Sequence, residues 1–413
     1  MARLIFHIDV NSAFLSWEAT RRVSLGEEDI RLIPSAIGGD RDKRTGVILT
    51  KSIPARNSVS RPANRWPWHF GNAQIYSWHS LTSAFARNPQ RPSLISAGNT
   101  TQWSRNTPLM SASWTCQVPI RSIRNPVAIA HSIKDKIRDT LGFTVNVGIG
   151  DCKILAKMAS DFEKPDKVHT LYRHEIPQKM WPLPVRDLFS VGASTAEKLE
   201  KARIRTIGDL ANTPLECVQQ VVGVKMGKHI HDYANRIDDS PVLAAPEEAK
   251  GYSISTTLEE DVVTTEQAHK VLLALTDSVT ARMRADNVKA FCVAVSIRSN
   301  DFKTRSHQKK LMDPTDISTE VYMLTKQLFA ELWDGHTPLR LIGVALTGLS
   351  KDETAQMSLF PDEKKERSRK LDKAYDAINK KFGAATIQRG SNLQSDLRVG
   401  KKYQAQIEQK HNK

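Results

Sequence analysis

Three groups of residues in this chain have the types and spacing to do chemistry. Asp9 closes the apolar run Leu4 to Ile8. A carboxylate held rigidly at a strand end suits a hard cation such as Mg²⁺, which takes oxygen ligands. An Asp in that position equally caps a following helix, so the residue alone does not choose between the two. The second group is Leu188-Phe-Ser-Val-Gly-Ala-Ser-Thr-Ala-Glu-Lys-Leu199, where Val191-Gly192 turns between two short helices and Ser194 and Thr195 open the second. The backbone N–H groups of such a turn hold a phosphate without reading a base. Ile204 to Leu210 follows in the manner of helix-hairpin-helix units, and Val222 to Lys228 supplies a second turn through Gly223, Lys225 and Gly227. One such turn is an ordinary helical connection; two close together favour DNA-backbone contact. The third group is the pentamer Gln356-Met-Ser-Leu-Phe360 in a polar stretch. There Gln356, Leu359 and Phe360 have no core to join and suit insertion into a partner's groove.

These groups need elements to place them. Leu4 to Ile8 reads as a buried strand, followed by a helix over 13–23 and a short strand over 47–50. Ile129, Ile133, Ile137 and Leu141 recur at helical spacing, and Gly142 ends that helix. Residues 143–149 alternate like a strand, and 153–161 form a helix stopped near Pro165. Short helices fill 185–236, and Ala244 to Glu248 reads as a linker. Beyond it, strands at 252–257, 291–298 and 340–349 alternate with helices at 265–285 and 317–332, the pattern of a small α+β domain. Residues 351–413 are polar, with one helix around 368–382. Residues 57–124 show neither period, which is unusual for so long a stretch inside a compact domain.

Composition bounds the function. A chain of 413 residues is expected to form two to four domains, and 40% hydrophobic with 25% charged residues fits a soluble globular protein. No apolar run approaches the roughly 18–20 residues that would span a bilayer, and Asp9 comes too early for a signal peptide, so a cytoplasmic protein without a membrane partner is expected. Cys116, Cys152, Cys217 and Cys292 lie far apart with no C-x-x-C spacing, against a zinc site or a disulfide framework. The net charge of +15 points to a polyanion such as nucleic acid. Its distribution is uneven. Residues 43–134 hold twelve Lys and Arg, five of the eight Trp and no Asp or Glu, while the rest of the chain carries only +3.

His7-Ile-Asp-Val-Asn-Ser-Ala-Phe-Leu-Ser-Trp-Glu18 resembles the opening motif of Y-family DNA polymerases of the DinB/UmuC type, and Gly148 to Pro165 resembles a second motif of that family. The hairpin segment and the pentamer resemble its thumb and its sliding-clamp-binding motif. The resemblance covers residues 1–56 and 126 to about 390. It implies an α+β multidomain right-hand polymerase, with palm and fingers over 1–180, a helix-hairpin-helix thumb over 181–243, an α+β little finger over 250–350 and a tail with the clamp motif over 351–413. It implies translesion synthesis by two Mg²⁺ ions on primer-template DNA and dNTPs, by a monomer that also binds the replication sliding clamp. Carried over by motif, Asp9 would bind metal through its carboxylate and Val10 through its carbonyl. Phe14 would exclude ribonucleotides, and Thr50, Arg56 and Lys164 would contact the triphosphate. Val191, Gly192, Ser194, Thr195, Gly223, Lys225 and Gly227 would meet DNA, and Gln356, Leu359 and Phe360 the clamp. The family's usual Tyr beside that Arg is Ile53 here; Asn11, Cys152 and Arg203 are milder departures.

One motif is missing. The family carries a palm Ser-x-Asp-Glu whose two carboxylates complete the metal site, and its place falls inside 57–124, where no carboxylate exists. One Asp cannot hold two Mg²⁺ ions, each needing about six oxygen ligands. A displaced reading frame accounts for the gap. Read one frame over, codons for Asn57 to Arg65 allow Phe-Gly-Val-Lys-Thr-Gly-Glu-Pro, and codons for Thr107 to Thr115 allow Ser-Ile-Asp-Glu-Cys-Phe-Leu-Asp. The absent Asp-Glu pair then lies beneath Leu109, Met110 and Ser111. The chain as written is expected to be inactive and to fold poorly in the palm. The view that competes with a displaced frame, a true basic Trp-rich insertion, predicts no coherent second frame. The alternative function is a non-catalytic DNA- and clamp-binding protein, in which the intact thumb, little finger and pentamer act alone.

Overall fold

The structure is a computed structural model describing residues 3–38, 48–57, 74–77, 102–106, 113–118, 125–242, 248–351, 363–383 and 386–387. It divides into two compact units, the first ending at Glu247 and the second carrying the chain from Glu248 onward.

In chain order the first unit holds β1 (Leu4–Val10), α1 (Ala13–Ser24), β2 (Ser35–Gly38), β3 (Ile48–Lys51), α2 (Ile53–Asn57), β4 (Gln74–Ser77), β5 (Gln102–Asn106), β6 (Ser113–Val118), α3 (Pro126–Leu141), β7 (Val145–Gly150), α4 (Lys153–Asp161) and β8 (Val168–Leu171). The helices α5 (Ile176–Lys179), α6 (Ala193–Lys201), α7 (Ile207–Asn212), α8 (Leu215–Val222) and α9 (Val224–Ala234) complete it. A five-stranded sheet runs β5-β6-β1-β7-β8, and a smaller one runs β3-β2-β4.

Strand alternation makes β1 the organising element, because successive side chains point to opposite faces. Leu4, Phe6, Ile8 and Val10 join Val145, Val147 and Ile149 of β7 in one cluster with Ala130, Ile133 and Ile137 of α3. Ile5, His7 and Asp9 therefore face the other way, where Ile5 packs on Ala156 of α4. The matching face of β7 carries glycine, and the reason is steric. A Cβ on Gly148 would stand 2.0 Å from the Ala156 carbonyl oxygen and 2.4 Å from the Ser160 nitrogen. Gly150 is similarly close, so α4 lies almost directly on the sheet and delivers its C-terminal end beside Asp9. The helices α6 to α9 bury Leu199, Ile204, Ile207, Leu210, Val218 and Ile230 in a core shared with Leu155 and Met158 of α4.

The second unit is β9 (Gly251–Val262), α10 (Thr265–Ala285), β10 (Lys289–Ser299), β11 (Thr304–Thr315), α11 (Ser318–Leu332), β12 (Leu339–Ser350) and α12 (Glu363–Phe382). Its antiparallel sheet runs β11-β10-β12-β9, the order of a split β-α-β unit. Leu272, Leu275, Val279 and Met283 of α10 and Val321, Leu328 and Phe329 of α11 pack on Val293, Val295, Ile342 and Val344. Thr264 starts α10 with a capping box to Gln267.

Two sequence expectations are corrected. The stretch 57–124 was expected to lack strands, yet β4, β5 and β6 lie in it, and β5 and β6 extend the sheet beside β1. Pairing with β1 places β6, a tertiary influence that local periodicity does not carry. The last helix begins at Glu363, five residues before the expected Ser368.

Candidate functional site

The carboxylate of Asp9 is buried on the α4 face of the sheet. Its partner is Lys164, whose Nζ donates to Asp9 Oδ2 and also to Asp161 Oδ1 at 2.8 Å. Asp161 in turn accepts from Lys157 Nζ at 2.7 Å. Burial alone would lower the Lys164 ammonium, but the Asp9 and Asp161 carboxylates hold it above its ordinary range. Burial would likewise raise the Asp161 carboxyl, and Lys157 with Lys164 holds it below its ordinary range. His7 sits two residues back on the same face, its Nδ1 2.9 Å from Thr115 Oγ1 and its Nε2 unpartnered. Burial first, then the Lys157 charge, pushes its imidazole down to about 4.

The turn after β1 gathers a second set. Ser12 has a left-handed backbone, φ 48°. Arg56 Nη2 donates to Ser12 Oγ at 3.1 Å, and Ser12 Oγ donates to the Lys51 carbonyl at 3.4 Å. Thr50 neighbours that strap on β3, paired with Ile37, and its hydroxyl is buried without a hydrogen-bond partner. Phe14 is buried at the start of α1, edge-on to Trp17 at 5.5 Å. Val10 pairs with Val145 in the sheet, and Ile53, in the place of the family's Tyr, is exposed at the start of α2. The structure thus joins Asp9 to Lys164 directly, and Arg56 to the same β1–α1 turn through Ser12. Sequence reading missed Ser12, Asp161 and His7. Asp161 had a signal in its spacing, three residues before Lys164 and four after Lys157.

Among the described residues, no group of three or more His, Cys, Asp or Glu is placed to hold a metal ion. Asp9 is one carboxylate already bonded to an ammonium group, so the described residues do not fit a pair of Mg²⁺ ions. The positions 107–112 lie outside the described residues, but their flanks do not. Asn106 pairs with Ser113, and Ser113 pairs with Asp9.

The hairpin residues lie at two helix N-termini. Gly192 precedes α6 and Gly223 precedes α9, neither with a capping side chain. A Cβ on either would meet nothing within 4 Å, so both turns are open. The first N–H groups of a helix have no partner within it, and at α6 these include Ser194 and Thr195, at α9 Lys225. His229 Nε2 lies 3.2 Å from Ser190 Oγ, tying one hairpin to the other. Gly227 has another role: a Cβ there would stand 2.8 Å from Gln219 Cα, so it lets α9 pass close to α8. Gln356, Leu359 and Phe360 lie outside the described residues. No described helix is long and apolar enough to cross a membrane.

A sheet with a buried strand-end Asp, a helix-hairpin-helix unit and a split β-α-β unit, in that order, is the arrangement of a multidomain α+β polymerase. Comparison with known proteins agrees. The impB/mucB/samB family matches residues 92–161, the thumb domain of DNA polymerase iota matches 186–238, and the impB/mucB/samB family C-terminal domain matches 249–359. DNA polymerase IV of Clostridium acetobutylicum is 37% identical over 405 residues, covering 96% of this chain and 100% of that protein. DNA polymerase IV of Clostridium kluyveri is 31% identical over 414 residues, covering 95% and 98%. A solved Y-family DNA polymerase chimera of Dbh and Dpo4 shares the fold with a TM-score of 0.65 at 17% identity, covering 84% of this chain and 100% of that one. The chain belongs to the Y-family DNA polymerases, which are DNA-directed DNA polymerases with a general dependence on divalent metal.

Proposed function

We propose that this chain is the product of a translesion DNA polymerase gene read out of frame over about residues 57–124, and that as written it binds primer-template DNA without extending it. The carrying observation is the carboxylate count at the palm: Asp9 is held by Lys164, and residues 43–134 contain no Asp or Glu to join it. The pairing of Asn106 with Ser113 and of Ser113 with Asp9 supports the frame argument. It sets the ends of the 107–112 connection level with Asp9, where a Ser-Ile-Asp-Glu motif is needed.

With the frame restored, Asp9 and the Val10 carbonyl would hold Mg²⁺ beside the recovered Asp and Glu, and the ion would supply Lewis-acid chemistry there. Thr50, Arg56 and Lys164 meet the triphosphate; the orphaned Thr50 hydroxyl and the reach of Arg56 to the β1–α1 turn support this. Phe14, packed against Trp17, is rigid enough to act as a wall against a 2′-hydroxyl. The open turns at Gly192 and Gly223, with Lys225, meet DNA phosphates. The first unit thus comprises palm, fingers and thumb and the second the little finger. The Gln356 pentamer docks on the sliding clamp, and the protein works as a cytoplasmic monomer.

Primer extension tests the reading. Purified chain of this sequence shifts a labelled primer-template in a salt-dependent manner and adds no nucleotide with Mg²⁺ and dNTPs. Mg²⁺-dependent incorporation by that chain would overturn it.

A further inference from the structure

Helix α12 lies beyond the segment matched to the family's C-terminal domain, which ends at residue 359. Its first turn carries the exposed acids Glu363 and Glu366, and beyond them its charges are sorted by face. Past Glu366 its acids are Asp372 and Asp376, and both turn inward onto Arg284 of α10, at 3.4 Å and 2.6 Å. Asp372 also accepts from the Ser318 N–H at 2.8 Å, and Arg369 of the same helix reaches Asp316 at 3.0 Å. The outward side carries Arg367, Lys370, Lys373 and Lys381, all exposed. Between them stand the exposed Ala374 and Ala377, which leave room for a close approach. At 1.5 Å per residue the stripe runs roughly 21 Å. A helix decorated only for solubility intersperses both signs on its outer face. This one keeps its later acids for its own docking site.

We propose that the outward face of α12 is a DNA-backbone contact, an extra phosphate-binding ridge on the second unit. The ligand is double-stranded DNA, whose phosphates present about one negative charge per 1.7 Å of axis and accept Lys and Arg without regard to sequence. The inference rests on the reading that the chain binds primer-template DNA.

The test uses the full chain and a fluorescent primer-template, with anisotropy titrations across a KCl series. The variant R367A/K370A/K373A/K381A changes exposed positions only. Each phosphate contact contributes about 0.9 to the slope of log Kobs against log salt. The variant is expected to lose about 2 to 4 from that slope and about tenfold or more in affinity at low salt, equally on unrelated DNA sequences. Replacing the three lysines by arginine and keeping Arg367 restores both. An unchanged slope and affinity in the alanine variant would overturn the inference while leaving the family reading intact. Absence of salt-dependent DNA binding by the parent chain would overturn both. Loss of binding to the sliding clamp with DNA binding unaltered would assign the face to a protein partner and overturn the inference.

Discussion

Arg284→Ala removes the group that seats α12. The guanidinium is buried, with 7% of its side chain exposed, and bonds Asp376 through Nε at 2.6 Å and Nη2 at 3.0 Å. Its Nη1 donates to the Asp316 carbonyl at 2.8 Å and to Ser318 Oγ at 2.9 Å. Removing one partner of a buried ion pair costs about 3–5 kcal/mol, because the other charge stays buried and unpaired. Two details put this site at the lower end. Asp376 is 25% exposed and partly screened, and Asp372 keeps the Ser318 N–H. A loss of about 3 kcal/mol corresponds to about a hundredfold faster exchange of the α12 amides, since each 1.4 kcal/mol is tenfold. Hydrogen-exchange mass spectrometry of α12 peptides reads this directly. Arg284→Lys recovers less than half, because an ammonium cannot fork between two acceptors. Arg284→Met combined with Asp372→Asn and Asp376→Asn recovers most of it, because no charge is left buried alone. Exchange within about twofold of the parent in Arg284→Ala, or a triple variant as labile as the single one, would refute the reasoning.

Gly148→Ala forces a Cβ into the Ala156 carbonyl and lifts α4 from the sheet; it destabilises the first unit by about 3 kcal/mol, and a loss under about 1 kcal/mol in thermal unfolding would contradict the close packing. His7 has a folded pKa near 4 against the ordinary 6.5, so the unfolded chain protonates first. The stability it contributes, about 3 kcal/mol, is full above pH 6.5 and drains as the pH falls through 4; His7→Gln flattens the melting-temperature profile between pH 7 and 5, and an unaltered profile would contradict this. Lys225→Ala at the open α9 turn weakens DNA binding uniformly across sequences and makes the salt slope shallower by about 1; a sequence-dependent loss would argue for base contact instead.

How much was legible in the sequence varied with the source of order. The helix over 265–285 matched residue for residue because Thr264 caps it and its apolar face repeats at helical spacing. The strands of the second unit were found where one face is buried, and β11 was missed because nearly all of its residues are exposed, so no alternation marks it. Asp9 and Lys164 were named separately, and only the close seating of α4 on Gly148 and Gly150 shows why they meet. Ser12 carried no signal, since its role depends on a left-handed backbone that a serine does not advertise. The carboxylate gap between Asp42 and Asp135 was legible at once, and it is a property of composition that no fold can repair.

The most direct measurement is the gene's nucleotide sequence across codons 50–130, read from fresh genomic DNA. The expected result is that the nucleotides beneath Thr107 to Ser111, read one base over, spell Ser-Ile-Asp-Glu, and that an A lost near codon 57 and a compensating change near codons 120–125 bound the displaced window. Nucleotides that encode this chain and spell no such motif in the neighbouring frame would contradict it, and residues 57–124 would then be a genuine basic, Trp-rich insertion.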